Sequence, residues 1–507
     1  MLPSTTWLVA GDLASRAVSD ISSFAADFHA FLQVMNEQAP PVDGSLRTRV
    51  RDHLGVDPGS LPVIGEEVAI YNRVNLQLAL DAWAQGEGRA IEPIGFGAPN
   101  RWMGVELGDL LGRSNPTGRG IDIAPVNYTE AELPDGARLR CVEGAVLLIT
   151  DGVQRFVGLI ARAQQRSAGP PPFILQIAAV DQDAVSGLLS ELRRLRHELN
   201  VYRGRVVAVM RGDRHNLFDG QLNLAYVEST VRERDDVILA AGVLERIERH
   251  TIEFSRHIDR LCALGRGVRR GLLLYGPPGT GKTHTVSYLA SALEGRTTFI
   301  ITGASFGMLP PICRLARELA PSMVVLEDVD LVALERTMPG QGANPLLFEL
   351  MNEMDGVGSD TDIIFLLTTN RADLLEPALA ARPGRVDLAI EIARPDPLCR
   401  RRLIELYGHE LSLSTAVKDS LVDRTEGVSA AFIKELLRRS ALLAVTHDDA
   451  ETTVVSDTYV DAALEELLLA SDELTRALLG ARHDGDDPGR PDIATALRRG
   501  RGRPSGA

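Results

Sequence analysis

Gly276-Pro277-Pro278-Gly279-Thr280-Gly281-Lys282-Thr283 has the residue types and spacing to hold a chain of phosphates. The glycines remove Cβ atoms that would block the approach to backbone N–H groups, and a helix starting at Lys282 would add the positive end of its dipole. Lys282 then offers a point charge to the β- and γ-phosphates, and the Thr283 hydroxyl a ligand to Mg²⁺. Three more groups suit the same chemistry. Glu327 and Asp328 follow an apolar run, where one carboxylate can hold a Mg²⁺ water shell and its neighbour can orient an attacking water. Asn370 could bind a terminal phosphate or position that water. Arg382 and Arg385 flank a Pro-Gly turn that would present guanidinium groups to phosphate.

Such residues need a scaffold that brings them to one edge. Five apolar runs, Leu272 to Tyr275, Phe299 to Ile301, Met323 to Leu326, Ile363 to Leu367 and Leu388 to Ile392, are separated mostly by helical patterns. They predict an α/β fold with a five-stranded parallel sheet covered on both faces. Ligand chemistry in such sheets gathers at the carboxyl ends of the strands, where the phosphate loop, Glu327, Asp328 and Asn370 follow their apolar runs. After the first run, Val286, Leu289, Ala290 and Leu293 fall at helical spacing, giving the helix a face to pack on the sheet. Beyond Arg394-Pro395-Asp396-Pro397, the segments Arg400 to Tyr407, Ser429 to Val445 and Tyr459 to Leu479 read as a C-terminal helical lid. Leu436, Leu437, Leu443 and Val445 are expected in its core.

On these motifs, residues 236 to about 470 resemble the AAA branch of the AAA+ ATPases. Gly276 to Thr283 match its Walker A motif, Met323 to Asp328 its Walker B, Asn370 its sensor 1, and Arg382 and Arg385 its arginine fingers. Asp355-Gly356-Val357 is similar to its inter-subunit signalling motif, and Thr425 to Ala431 to a lid motif. The resemblance implies ATP and Mg²⁺ as ligands. It places nucleotide contacts on Asp236, Ile238, Gly276, Pro277, Pro278, Gly279, Thr280, Gly281, Lys282, Thr283 and His284, with Asp236 to Ala241 lining an adenine pocket. Metal contacts fall on Thr283 and Glu327, and catalysis on Lys282, Glu327, Asp328, Asn370, Arg382 and Arg385. It also implies self-association into a ring, most often a hexamer, in which the fingers reach a neighbour's nucleotide.

Two departures matter. Most AAA proteins carry Asp before Glu at Walker B, and here Glu327 precedes Asp328, which is one methylene shorter, so either slower hydrolysis or a shifted geometry is expected. The swapped pair resembles the mitochondrial AAA subgroup that exports a folded Rieske iron-sulphur subunit, although no membrane anchor is visible here. Peptide-threading relatives also place an aromatic pore loop before Walker B. The nearest segment is Phe306-Gly307-Met308, where Phe306 either grips a chain or packs against the following helix.

The remainder of the chain is less explicit. Residues 1–90 read as a helical region, with a helix from Val68 to Ala84, and 91–230 as a mixed α/β N-terminal domain. Residues 236–395 are expected as the large ATPase domain, 396–480 as the lid, and 481–507 as a disordered tail with an Arg-Gly run. Leu188, Leu192, Leu195 and Leu199 form one helical stripe, while Arg193, Arg194 and Arg196 face solvent or an acidic partner. Asp151 and Glu143 are lone carboxylates of the structural kind.

With 507 residues there is length for two or three cores, and the net charge of −15 argues against a nucleic-acid-coating role. Cys141, Cys262, Cys313 and Cys399 lie too far apart to suggest zinc or a disulfide framework, and read as buried thiols in a reducing cytoplasm. No apolar run approaches the roughly 18–20 residues of a membrane span. The expected function is ATP hydrolysis by an oligomeric ring that remodels or translocates a protein client chosen by the N-terminal region. The alternative is a nucleotide-gated assembly switch with slow hydrolysis.

Overall fold

The computed structural model describes residues 46–97, 104–111, 122–163, 172–211, 222–227, 233–330, 352–353, 361–371, 386–447 and 454–469, with positions 24, 27, 28 and 30. It divides into two compact units, the first ending at Val201 and the second beginning at Tyr202.

The first unit runs α1 (Leu46–Leu54), β1 (Val63–Val68), α2 (Arg73–Ala84), β2 (Arg89–Phe96), α3 (Leu107–Leu111), β3 (Ile123–Ala124), β4 (Asn127–Glu132), β5 (Arg138–Asp151), β6 (Gln154–Arg162), β7 (Phe173–Ala178) and α4 (Gln182–Glu198). Its seven strands form one antiparallel sheet in the order β1-β7-β6-β5-β2-β3, with β4 also paired to β5. Because side chains alternate along a strand, Ala145, Leu147 and Ile149 of β5 pack with α2 and α4, whereas Val146 and Leu148 pack with α1 and α3. Both faces are therefore covered.

Strand β1 lies inside the stretch expected to be helical. Its sequence, Val-Ile-Gly-Glu-Glu-Val, carries a weak period-two signal, and the antiparallel register with β7 decides its conformation. Glu66 of this strand accepts from Arg193 at 2.6 Å and pairs with Arg196 at 3.0 Å, while Arg194 pairs with Glu198. The basic cluster of α4 is thus satisfied internally. Along the same helix Val185, Leu188, Leu189 and Leu192 are buried, but Leu199, expected in the stripe, is 40% exposed. Glu143 and Asp151 are held by Arg162 and Arg89 respectively.

The second unit holds β8 (Val206–Arg211), β9 (Leu222–Tyr226), α5 (Val243–Glu248), β10 (Arg270–Tyr275), α6 (Lys282–Ala292), β11 (Thr297–Ile301), α7 (Leu309–Glu318), β12 (Ser322–Leu326), β13 (Ile363–Thr369) and β14 (Leu388–Glu391). The five expected strands are present and parallel, in the order β14-β10-β13-β12-β11. The sheet has two more. β8 adds in parallel beside β11, and β9 pairs antiparallel at the edge, so the sheet has seven strands and draws residues from before 230. β8 joins through a non-local register, Thr298 opposite Val206, which local patterns do not reveal.

Four lid helices follow: α8 (Pro397–Tyr407), α9 (Thr415–Arg424), α10 (Ala430–His447) and α11 (Asp457–Leu469). Asp396 caps α8 by accepting from the Cys399 N–H, and Pro397 occupies the first turn, where its missing donor does no harm. Helix α9, capped by Ser414, was absent from the sequence reading. Leu436 and Leu437 are in the lid core with Leu403, Ile404, Phe432 and Val460, and Leu443 packs beside them. Val445 is 60% exposed instead. Cys141, Cys313 and Cys399 are buried free thiols, and Cys262 is exposed.

Candidate functional site

Strand β10 delivers the chain to Gly276, whose φ of +149° lies in a region favouring glycine. A Cβ there would run into the Ile392 carbonyl oxygen just past β14, so the loop can turn only because this position is bare. Gly281, at φ +113°, is the N-cap of α6 and points that helix's free N–H groups into the loop. Lys282 is 6% exposed, and its Nζ donates to the Gly276 and Pro277 carbonyls at 2.8 and 2.9 Å. Burial pushes its pKa down, opposed by the charges of Asp328 and Asp330. Thr280 is buried and donates to the Pro277 carbonyl at 2.9 Å, Pro278 is exposed, and His284 lies half-buried on α6.

Strand β12 ends against this loop. The Thr283 side chain lies beside the Glu327 carboxylate, and Glu327 Oε1 is buried without a hydrogen-bond partner among the described residues. Burial raises the Glu327 pKa, the nearby Thr283 hydroxyl lowers it, and the Asp328 charge raises it further. A buried oxygen of this kind costs free energy unless something coordinates it. Mg²⁺ fits: a hard cation takes oxygen ligands, and Glu327 and Thr283 would hold it.

Asp328 follows at φ +50°, the only described residue besides glycine with a positive φ. Asp enters this left-handed region more readily than longer side chains, which supplies a backbone reason for the shorter carboxylate at 328. Its N–H donates to Thr368 Oγ1 at 3.0 Å, and Asn370 Nδ2 donates to its Oδ1 at 3.2 Å. Asp330, two residues on, is 4% exposed and accepts from Thr369 Oγ1 at 2.8 Å and from the Asn370 N–H at 3.1 Å. The carboxyl ends of β12 and β13 are therefore stitched together by Asp328, Asp330 and the Thr368-Thr369-Asn370 run.

The segment preceding α5 reaches the same loop. Asp236 accepts from the Glu233 N–H in a capping box, and Arg234 forks onto Glu245 and Glu248. Glu248 also accepts from Tyr288 of α6 at 2.6 Å, which anchors the segment to the phosphate-loop helix. Val237 then packs in the sheet core and Ile238 in the lid core. Leu239 lies 3.8 Å from where a Gly281 Cβ would stand. From the lid, the Ala431 N–H donates to the Gly279 carbonyl at 3.1 Å. A Cβ on Gly279 would stand 2.9 Å from both Ser429 Oγ and Ala431 Cβ, so lid and loop touch closely.

A phosphate loop, an acidic strand end and an Asn on the adjoining strand thus share one edge of the sheet. Residues 272–394 match the ATPase family associated with various cellular activities (AAA). The chain contains an AAA domain. A 26S proteasome regulatory subunit 6B homolog from Encephalitozoon cuniculi is 38% identical over 202 residues, 37% of this chain and 51% of that protein. The ATP-dependent zinc metalloprotease FtsH from Mycoplasmopsis pulmonis is 30% identical over 281 residues, 52% of this chain and 37% of the relative. The chloroplastic FTSH 2 of Oryza sativa subsp. japonica is 31% identical over 289 residues, 50% of this chain and 41% of the relative. The chain thus spans about half or less of the length of these curated relatives.

Lys282, Thr283, Glu327, Asp328 and Asn370, named from the sequence, lie near one another at this edge. Arg382, Arg385 and Asp355-Gly356-Val357 lie outside the described residues. Phe306, left open between a gripping residue and a packing one, is 6% exposed in the turn Gly303–Met308, and the adjacent Ser305 donates to the Val209 carbonyl of β8 at 2.9 Å. Asp330 was passed over because an acidic residue beyond a strand end reads as an ordinary turn. The described helices include none long and apolar enough to cross a membrane.

Proposed function

We propose that the AAA domain binds and hydrolyses ATP, with Lys282 on the phosphates and Asp328 orienting the attacking water. The observation that carries this reading is the buried Glu327 Oε1, without a hydrogen-bond partner among the described residues, beside the Thr283 hydroxyl at the mouth of the phosphate loop. When bound there, Mg²⁺ would neutralise charge on the β- and γ-phosphate oxygens. Asn370 holds the Asp328 carboxylate through one hydrogen bond, which keeps a general base aimed while Glu327 keeps the metal side. Asp236 and Ile238 border the adenine, and Arg382 and Arg385 complete a neighbouring copy's site in a homo-oligomeric ring, most simply a hexamer. Hydrolysis is coupled to remodelling of a protein client that the first unit selects.

The test is ATP turnover and nucleotide binding by the full chain. Lys282→Ala should abolish binding, and Asp328→Asn should keep binding within about 3-fold while lowering turnover at least ~100-fold. Undiminished turnover in Lys282→Ala would sink the reading.

A second reading is favoured by Phe306. Its burial leaves this segment without an exposed aromatic grip, so ATP would gate assembly and the slow hydrolysis expected of the shorter Asp328 would act as a timer. The swapped Glu327-Asp328 pair, shared with the subgroup that exports a folded protein, fits a client that is not threaded as an unfolded chain. Client-stimulated turnover would support remodelling; ATP-dependent assembly with an unstimulated rate would support the switch.

A further inference from the structure

We propose that Asp330 is the positioning residue of this site: it fixes the end of β13 so that Asn370 aims its amide at Asp328. The proposal rests on the hydrolase reading above.

Every described hydrogen bond that orients Asp328 comes from the Thr368-Thr369-Asn370 run: Thr368 Oγ1 receives its N–H and Asn370 Nδ2 reaches its carboxylate. That run ends where the strand ends. Its last ladder residue, Thr369, pairs with Tyr275 of β10, and beyond it the sheet offers Asn370 no register partner. The order of Asn370 must come from elsewhere. Asp330 Oδ1 supplies it, taking the Thr369 hydroxyl at 2.8 Å and the Asn370 N–H at 3.1 Å. Thr369 Oγ1 in turn receives the Arg371 N–H at 3.0 Å, so one buried oxygen sets the backbone on both sides of Asn370. The charge of Asp330 also reaches Lys282 on the phosphate loop. Asp330 touches none of the reacting groups in this geometry; its influence passes through Asn370.

A residue with a purely structural role would weaken nucleotide binding and turnover together. A positioning residue separates them. In the full chain, Asp330→Ala should lower kcat by about 10- to 100-fold while the ATP dissociation constant moves less than about 3-fold, the scale at which partners of functional groups act. Asp330→Asn keeps an oxygen acceptor at the same place and should recover kcat to within about 3-fold of the parent. In an Asn370→Ala background, Asp330→Ala should add no further loss. Hydrogen exchange gives a readout independent of turnover: amides at 370 and 371 should exchange faster in Asp330→Ala, return to the parent rate in Asp330→Asn, and leave those of α6 unchanged. Unchanged kcat in Asp330→Ala, a proportional loss of ATP affinity, failure of Asp330→Asn to recover, or full loss persisting without the Asn370 side chain would each overturn the proposal. If the parent protein showed no ATP turnover, the hydrolase reading would fall, and the exchange rates at 370 and 371 would still decide whether Asp330 holds this strand end.

Discussion

At the amino ends of β11, β12 and β13, Asp362 has both carboxylate oxygens taken by Arg296, at 2.7 and 2.8 Å. At the carboxyl ends of the same strands, Glu327 has a buried oxygen without a hydrogen-bond partner among the described residues. The two acids sit on one sheet, a few residues from its edges, and their environments are opposite. Arg296 is buried, and also donates to the Ser322 carbonyl at 2.9 Å, so Asp362 and Arg296 form a closed pair that stabilises the sheet. The carboxyl end retains an uncompensated acid beside a second acid, Asp328, and a buried lysine. What separates the two acids is whether their oxygens are already satisfied.

The largest effect that could break this comparison is at the closed end. Asp362→Ala leaves the Arg296 guanidinium buried and unpaired, and should cost about 3–5 kcal/mol of unfolding free energy in urea titrations. A loss below about 1 kcal/mol would mean that the pair is no tighter than a surface bridge.

Next are the glycines at the two ends. Gly276 abuts the Ile392 carbonyl at φ +149°, whereas Gly295, in the turn before β11, has φ +75° and open space where a Cβ would go. Gly295→Ala should cost only the left-handed backbone penalty, about 1–2 kcal/mol. Gly276→Ala adds a collision to its strain and should cost about 2–4 kcal/mol while also removing nucleotide binding. Thermal melts and nucleotide titrations of the two variants would reverse the comparison if the Gly295 variant proved the less stable.

The carboxyl end was the more legible of the two. Lys282, Thr283 and Glu327 stand at spacings that phosphate and metal chemistry require, and strands β10 to β14 announce themselves as apolar runs. Arg296 and Asp362 are 66 residues apart and gave no such signal, because an ion pair between strand starts depends on which strands become neighbours. β8 and β9 were missed for the same reason: their place is set by a register with β11 that no local pattern encodes. Asp330 needed the neighbouring strand end before its two hydrogen bonds could be seen. The first unit shows the converse, since Glu66 and Glu67 mask the strand character of β1, and the α4 arginines that looked available to a partner are paired inside the unit.

The smallest expected effect is the sharpest test of the contrast. Glu327→Gln keeps the size of the side chain but removes a buried charge next to Asp328, so without nucleotide or metal it should raise stability by about 0.5–2 kcal/mol near pH 7.5. The sign has a pH signature. Burial raises the Glu327 pKa in the folded chain, so folding favours its protonated form; that contribution is fully present below the unfolded value and is lost as pH rises through the folded one. The gain from glutamine should therefore be full at neutral pH, shrink on acidification, and vanish below about pH 4, where the parent is already protonated. Added Mg²⁺ with a nucleotide should reverse the order, stabilising the parent more than the variant, because only the parent offers an anionic ligand. Melting curves across pH, with and without Mg²⁺ and ATP, would measure all three arms. A Glu327→Gln protein that is less stable than the parent at pH 7.5, with no metal present, would show that this carboxylate is as well satisfied as Asp362.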